Sequence, residues 1–314
     1  MNKICTDIQK YNRTQNKYVR FPVKIIPSNY ECPDEVMDSM HSLKYGVQYN
    51  SEISQIPVHL LFFTQTKTDC MDRFHIVMTI LRFMFQFPNK VTDIQVEFAF
   101  TPKHKELPKH KHELIGPSTL NTGYTVNNLI VVYREEEWLK VFIHECMHLF
   151  MYDKNLRDNF TLLYSIFPIS KKINLNESYC EIWARILNCC VISVMNHLSL
   201  ENLLEKERIH SSEQLVKVLN YMKLTYPQLM DKHTVYNEKT NAFAYLVIPA
   251  ILIQDPYLFV KWCKKHNTFM LPIQSASDFV ELIQSKYKSP DFLDTLHSTN
   301  SSLSTKMSFN NIYL

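Results

Sequence analysis

Glycine is scarce in this 314-residue chain, which holds only Gly46, Gly116 and Gly123. A P-loop or a Rossmann fingerprint needs several glycines in one short segment, so both nucleotide-binding classes are excluded. C-x-x-C is also missing: the eight cysteines stand at 5, 32, 70, 146, 180, 189, 190 and 263. Several of them fall on apolar helical faces, where a buried reduced thiol is the default, and this points to a reducing, intracellular setting. The first twenty residues contain no apolar core of the kind a secretory signal needs. The longest apolar runs, near Ala184–Met195 and Ala242–Ile253, are too short to span a bilayer, and the second contains Pro249. The expectation is therefore a soluble protein without membrane contact. Strong charge is lacking too. With 34 Lys and Arg against 31 Asp and Glu, the net charge of +3 is too mild to imply a nucleic-acid partner.

What is present is a globular composition, 46% hydrophobic and 21% charged, enough for one large domain or two modest ones. Abundant Asn, Lys, Ile, Tyr and Phe beside little Gly and Ala fits an AT-rich coding genome, as in a large DNA virus or a reduced parasite. The stretch that organises the chain is Val141–Phe150, VFIHECMHLF. On a helix, residues four apart share a face, so His144 and His148 can direct both imidazoles at one ion, with Glu145 beside them to activate water. This is H-E-x-x-H, a zinc-hydrolase signature. By chance it should occur in about 3% of chains of this composition, so a second element is required.

That element is Asn176-Glu177-Ser178-Tyr179-Cys180-Glu181, opening a long apolar run, with Glu177 and Glu181 again four apart. Two histidines need a third protein ligand and an open position for water, and a carboxylate from a second helix completes a His2Glu set. Here the chain resembles the gluzincins, the thermolysin-like branch of the zincin metallopeptidases, whose second motif reads N-E-x-x-x-D. The resemblance implies Zn2+ as cofactor, Glu177 as third ligand, and Glu181 as the carboxylate that orients a ligand imidazole. Glu181 stands where the family has Asp, one methylene shorter. Upstream, Asn121-Thr122-Gly123-Tyr124-Thr125, a turn at Asn127-Asn128 and Leu129–Tyr133 read as a hairpin. In the family a strand beginning with Asn pairs with the substrate backbone at the sheet edge, which implies substrate binding by Asn121, Thr122, Gly123 and Tyr124. Zincins also supply a Tyr or His to stabilise the oxyanion. His210, His233, Tyr236, Tyr245 and Tyr179 are the candidates, with Tyr245 preferred for its place on an amphipathic helix.

The fold expected is α+β and zincin-like, with a small twisted sheet and the active-site helices in the N-terminal part and a mostly helical C-terminal part. The boundaries are 1–153 for the part carrying edge strand and H-E-x-x-H helix, 154–297 for the part carrying the third ligand, and 298–314 for a flexible tail. Residues 1–30 are expected to wrap the surface in extended form. A short helix starts at Pro33-Asp34-Glu35 and ends near Gly46. Ile56–Thr64 reads as a strand, Asp69–Phe87 as a helix and Val91–Thr101 as a strand. The loop Thr101–Ser118, with His104, His110 and His112 among its lysines, reads as solvated surface bordering the substrate groove. Arg134–Glu137 is expected to begin the metal helix with acidic residues suited to its dipole. A short helix is expected around Phe160–Phe167, Asn176 as an N-cap, and Ser211-Ser212-Glu213-Gln214 as a capping box before Leu215–Tyr226.

The function that follows is zinc-dependent hydrolysis of a peptide or protein, with Glu145 as general base. Two other readings stay open: a noncatalytic zincin-fold binding or virion protein, and a chance H-E-x-x-H on a buried helix.

Overall fold

The computed structural model describes residues 1–23, 30–110, 112–156, 161–297 and 302–312. One sheet holds β1 Val19–Val23, β2 Tyr45–Ile53, β3 Ile56–Thr64, β4 Ile94–Thr101, β5 Gly123–Val126 and β6 Leu129–Arg134. The strand order is β1-β2-β3-β4-β6-β5, with β3, β4 and β6 parallel at the centre and β5 antiparallel at one edge. Interleaved with the strands are α1 Asn2–Asn12, α2 Asp34–Met40, α3 Met71–Phe85, α4 Pro117–Leu120 and α5 Trp138–Leu149. After them the chain is helical: α6 Thr161–Ile166, α7 Leu175–Asn196, α8 Leu200–Tyr221, α9 Ile248–Leu252, α10 Pro256–His266, α11 Ala276–Lys286 and α12 Pro290–Thr295. This is the mixed α and β architecture expected, sheet first and helices after.

The central strands are buried on both faces, as Phe62 with Phe63, Phe98 with Ala99 and Val131 with Val132 show. That double burial is why β6 and the C-terminal halves of β3 and β4 are continuously apolar, whereas Gln95 and Glu97 keep the first half of β4 alternating. One face packs on α3 and α5 through Phe74, Val77, Leu81, Phe142 and Ile143. The other is covered by Tyr30 and by Val36 and Met40 of α2. Helix α7 packs across α5 in the first of these clusters, which continues into the C-terminal helices without a break. By length and composition α7 could cross a membrane, and 83% of its apolar window is buried inside the protein. The run 184–195 understates this helix, because it reaches back over Glu177 and Glu181, charges that are matched within the fold.

Several local expectations are corrected. Residues 1–12 are not extended: Ile4 and Ile8, four apart, bury one stripe of α1 against α3 and α7. Pro27 lies outside the described residues. The helix at Asp34 stops at Met40, and Gly46 falls inside β2, where an added Cβ would stand 2.7 Å from the Val23 carbonyl oxygen. The glutamates at 135–137 precede α5, and each faces a basic side chain, Arg73, His104 and Lys105 respectively. Glu137 itself caps α5 with φ of 59°. Loop 101–118 is therefore not simply solvated, since Lys105 is fully buried and the His110 and Glu113 carbonyls lie within reach of the Tyr221 hydroxyl. The short helix expected from Phe160 begins at Thr161, and Phe160 lies outside the described residues. Asn174, not Asn176, precedes α7. No helix starts at Ser211: α8 runs through it, and the hydroxyls of Ser211 and Ser212 serve Arg185 of α7 and Gln254 in the turn between α9 and α10.

The tail expected to fray is docked over 302–312. Ser308 and Asn310 are buried, and both bond the Glu207 carboxylate of α8. The Ser308 N–H also donates to Glu137, and the Thr305 N–H to the Lys105 carbonyl. Residues 298–301 and 313–314 lie outside the described residues.

His210 of α8 faces this tail, with Nε2 2.8 Å from the Lys306 carbonyl oxygen. Burial lowers its pKa from the ordinary 6.5 to about 4. Because the unfolded chain takes up the proton first, the stabilisation is complete above pH 6.5 and is lost as pH falls through 4. Denaturant unfolding between pH 7 and 4 should show about 2–3 kcal/mol less acid destabilisation in His210→Gln than in wild type. Parallel curves for the two proteins would contradict this.

Candidate metal centre

Helix α5 is buried on nearly every side, so its polar residues face neighbouring elements instead of water. His144 and His148 project from one face, one turn apart, with ring centroids 4.9 Å apart. Helix α7 crosses beside them and brings in Glu177 from its first turn. The three facing atoms form a small triangle. His144 Nε2 is 3.1 Å from His148 Nε2 and 3.1 Å from Glu177 Oε2, and His148 Nε2 is 3.3 Å from the same oxygen. A tetrahedral zinc with bonds of about 2.0–2.1 Å spaces its ligand atoms about 3.3 Å apart. The residues present thus fit three corners of that coordination and leave the fourth free.

The far sides of both rings are held. His144 Nδ1 lies 3.1 Å from Glu181 Oε2, and His148 Nδ1 lies 2.8 Å from Asp153 Oδ2. With the protons on Nδ1, both Nε2 lone pairs point at the common centre. Glu181 is fully buried and accepts from Lys140 Nζ at 3.0 Å and from Arg185 Nε at 3.0 Å. Burial opposes its ionisation, but these two cations outweigh it and hold the carboxyl well below the usual range. Glu177 is likewise held low, burial being outweighed by hydrogen bonds from the two histidines. Asp153 reaches His148 because Met151, with φ of 56°, turns the chain back at the end of α5.

Glu145 lies beside this cluster on the side of the sheet edge. Thr125 of β5 places Oγ1 2.8 Å from Glu145 Oε2. Burial raises the Glu145 pKa, against the pull of His144 and His148.

Of the expected substrate-binding residues, Gly123 stands at the start of β5 with its backbone packed on α5. An added Cβ there would meet the Val131 carbonyl oxygen at 2.6 Å and Val141 at 2.9 Å. The Thr122 hydroxyl is buried and has no hydrogen-bond partner among the described residues. Asn121 Oδ1 accepts from the Thr240 hydroxyl at 2.9 Å. Tyr124 packs on the opposite face of the sheet, where its hydroxyl accepts from the Glu31 N–H.

Among the oxyanion candidates, Tyr245 lies beside the centre, its ring centroid 5.9 Å from that of His144. It sits in a π-helical turn, Phe243–Val247, a widened form common at functional sites. Burial and the Glu177 carboxylate keep its hydroxyl protonated well beyond the ordinary range. The others are committed elsewhere. Tyr179 donates to the Leu271 carbonyl, Tyr236 to Glu238, His210 faces the tail, and His233 is exposed.

Sequence reasoning missed Thr125, Lys140, Asp153 and Arg185 as parts of this site. Lys140 and Arg185 did leave a signal, being cations one turn from His144 and Glu181 inside apolar helices, where a charge must find a partner. Asp153 left little, because its approach depends on the left-handed turn at Met151.

No family model matches the chain, and no curated protein matches it in sequence. Among solved structures, it is similar to an aminopeptidase N family protein from Idiomarina loihiensis. The identity is 12% and the TM-score 0.35, over 92% of this chain and 54% of that one. The chain thus spans about half the length of that protein. A likeness this distant says nothing about the site, whose chemistry rests on the distances above.

Asp153→Ala should weaken zinc binding about 10–100-fold by freeing the His148 ring, as read by chelator competition. Unchanged affinity would show that Asp153 does not orient that ligand.

Proposed function

We propose that this protein is a zinc-dependent peptidase acting on peptides or proteins. The observation that carries the reading is the triangle of His144, His148 and Glu177 with Glu145 beside it, against a sheet edge. Two imidazoles and one carboxylate are a donor set suited to zinc, with one position left for chemistry. Zinc bound there supplies a water of lowered pKa and polarises a carbonyl.

The chain's own residues do the rest. Glu145 takes the proton released as water attacks the scissile carbonyl and delivers it to the leaving amine. Thr125 holds the carboxylate towards β5. Tyr245 donates its hydroxyl proton as a hydrogen bond to the developing oxyanion. The outer edge of β5, with Asn121, Thr122 and Gly123 leading into it, pairs with an extended substrate backbone, whose main-chain groups supply hydrogen bonds independent of sequence. Tyr124, turned to the other face, supports the strand from behind. No nucleic acid enters this reading, given a net charge of only +3.

Glu145→Gln should keep its zinc and lose at least 100-fold in turnover of a mixed peptide library followed by mass spectrometry. Cleavage by Glu145→Gln at the wild-type rate would rule out the assignment. A wild type that binds zinc yet cuts nothing would favour a noncatalytic binding or virion role for the same fold.

A further inference from the structure

Glu181 already has one cation, Lys140, whose Nζ lies 3.1 and 3.0 Å from its two oxygens. A second buried cation on the same carboxylate is not needed for neutrality, and desolvating it costs several kcal/mol unless its other donors are used. Arg185 is that second cation, and each of its three nitrogens donates a hydrogen bond. It is fully buried on α7, one turn beyond Glu181 and two beyond Glu177. Its Nε donates to Glu181 Oε1 at 3.0 Å, its Nη1 to the Ser211 hydroxyl of α8, and its Nη2 to the backbone carbonyl of Tyr245 at 3.0 Å.

One rigid guanidinium thereby touches both halves of the site. Through Glu181 it reaches His144 Nδ1, and through the carbonyl of Tyr245 it reaches the π-helical turn that carries the Tyr245 ring. Ser211 fixes the fork from the third side. A lysine could replace the charge but not the three directions, since only the planar fork presents donors to all three at once.

We propose that Arg185 is a positioning residue that sets the metal ligand His144 and the hydroxyl of Tyr245 in one geometry. This rests on the zinc peptidase reading, and its failure can be told apart from failure of that reading. The test compares wild type, Arg185→Met, Arg185→Lys and Ser211→Ala for zinc affinity by chelator competition, apo-protein melting temperature, and kcat and KM on a library peptide. Arg185→Met should bind zinc at least tenfold more weakly. Arg185→Lys should recover zinc affinity to within about threefold through its contact with Glu181, yet keep a kcat about tenfold low with KM unchanged, because Tyr245 has lost its anchor. Ser211→Ala, which deletes a single hydroxyl and so spares the fold if the arginine variants do not, should lower kcat about threefold in the same manner.

A purely structural Arg185 would instead lower the melting temperature and leave the zinc affinity of the folded variants at the wild-type value, and that result would overturn the proposal. Wild type without zinc affinity would sink the peptidase reading and this inference together. Wild type that binds zinc, with Arg185→Met binding it equally well, would sink this inference alone.

Discussion

The site depends on one buried carboxylate, Glu181, lying between two crossing helices. An isolated carboxylate in that position would take up a proton or cost several kcal/mol, and neither outcome would hold an imidazole in place. Lys140 from α5 and Arg185 from α7 favour its ionised form. Because each helix contributes one of the cations, the same charge that orients His144 also fixes how the helices meet. His144, His148 and Glu177 come together where α5 and α7 meet.

That arrangement belongs to a larger balance. Around α5, α7 and α8 the buried charged side chains include Lys105, Lys140 and Arg185 and the carboxylates Glu137, Glu181 and Glu207. In a medium of low dielectric such a set is tolerable only when it is closed, each charge facing an opposite one or a hydrogen-bond donor. The docked tail contributes to this, since Ser308 and Asn310 supply donors to Glu137 and Glu207. Residues 302–312 are thus tied to the start of α5 and to α7 and α8.

Much of this was legible in the sequence wherever local periodicity decides the outcome. The faces of His144 with His148 and of Glu177 with Glu181 follow from 3.6 residues per turn, and β3, α3, β4 and the β5–β6 hairpin follow from apolar patterning. What stayed hidden was set by contacts distant in sequence. Arg185 meets the Tyr245 carbonyl across 60 residues and Asn310 meets Glu207 across 103. A sequence rich in serine and asparagine at its end looks disordered until its buried partners are known. The same holds for Ser211 and Ser212, which resemble a helix start until their hydroxyls are seen to face Arg185 and Gln254. Positive φ at Met151 and Glu137, on residues with no local requirement for it, was equally invisible, and those two turns deliver Asp153 to His148 and Glu137 to Lys105.

The most direct test of the account is the metal content of protein purified without added metal, measured by elemental mass spectrometry for wild type and His148→Ala side by side. One zinc per chain in the wild type, absent from the variant, is the predicted result. No zinc in either protein, together with no rise in melting temperature when zinc is added to the wild type, would contradict it and leave the triangle of His144, His148 and Glu177 as a hydrogen-bonded cluster of the core.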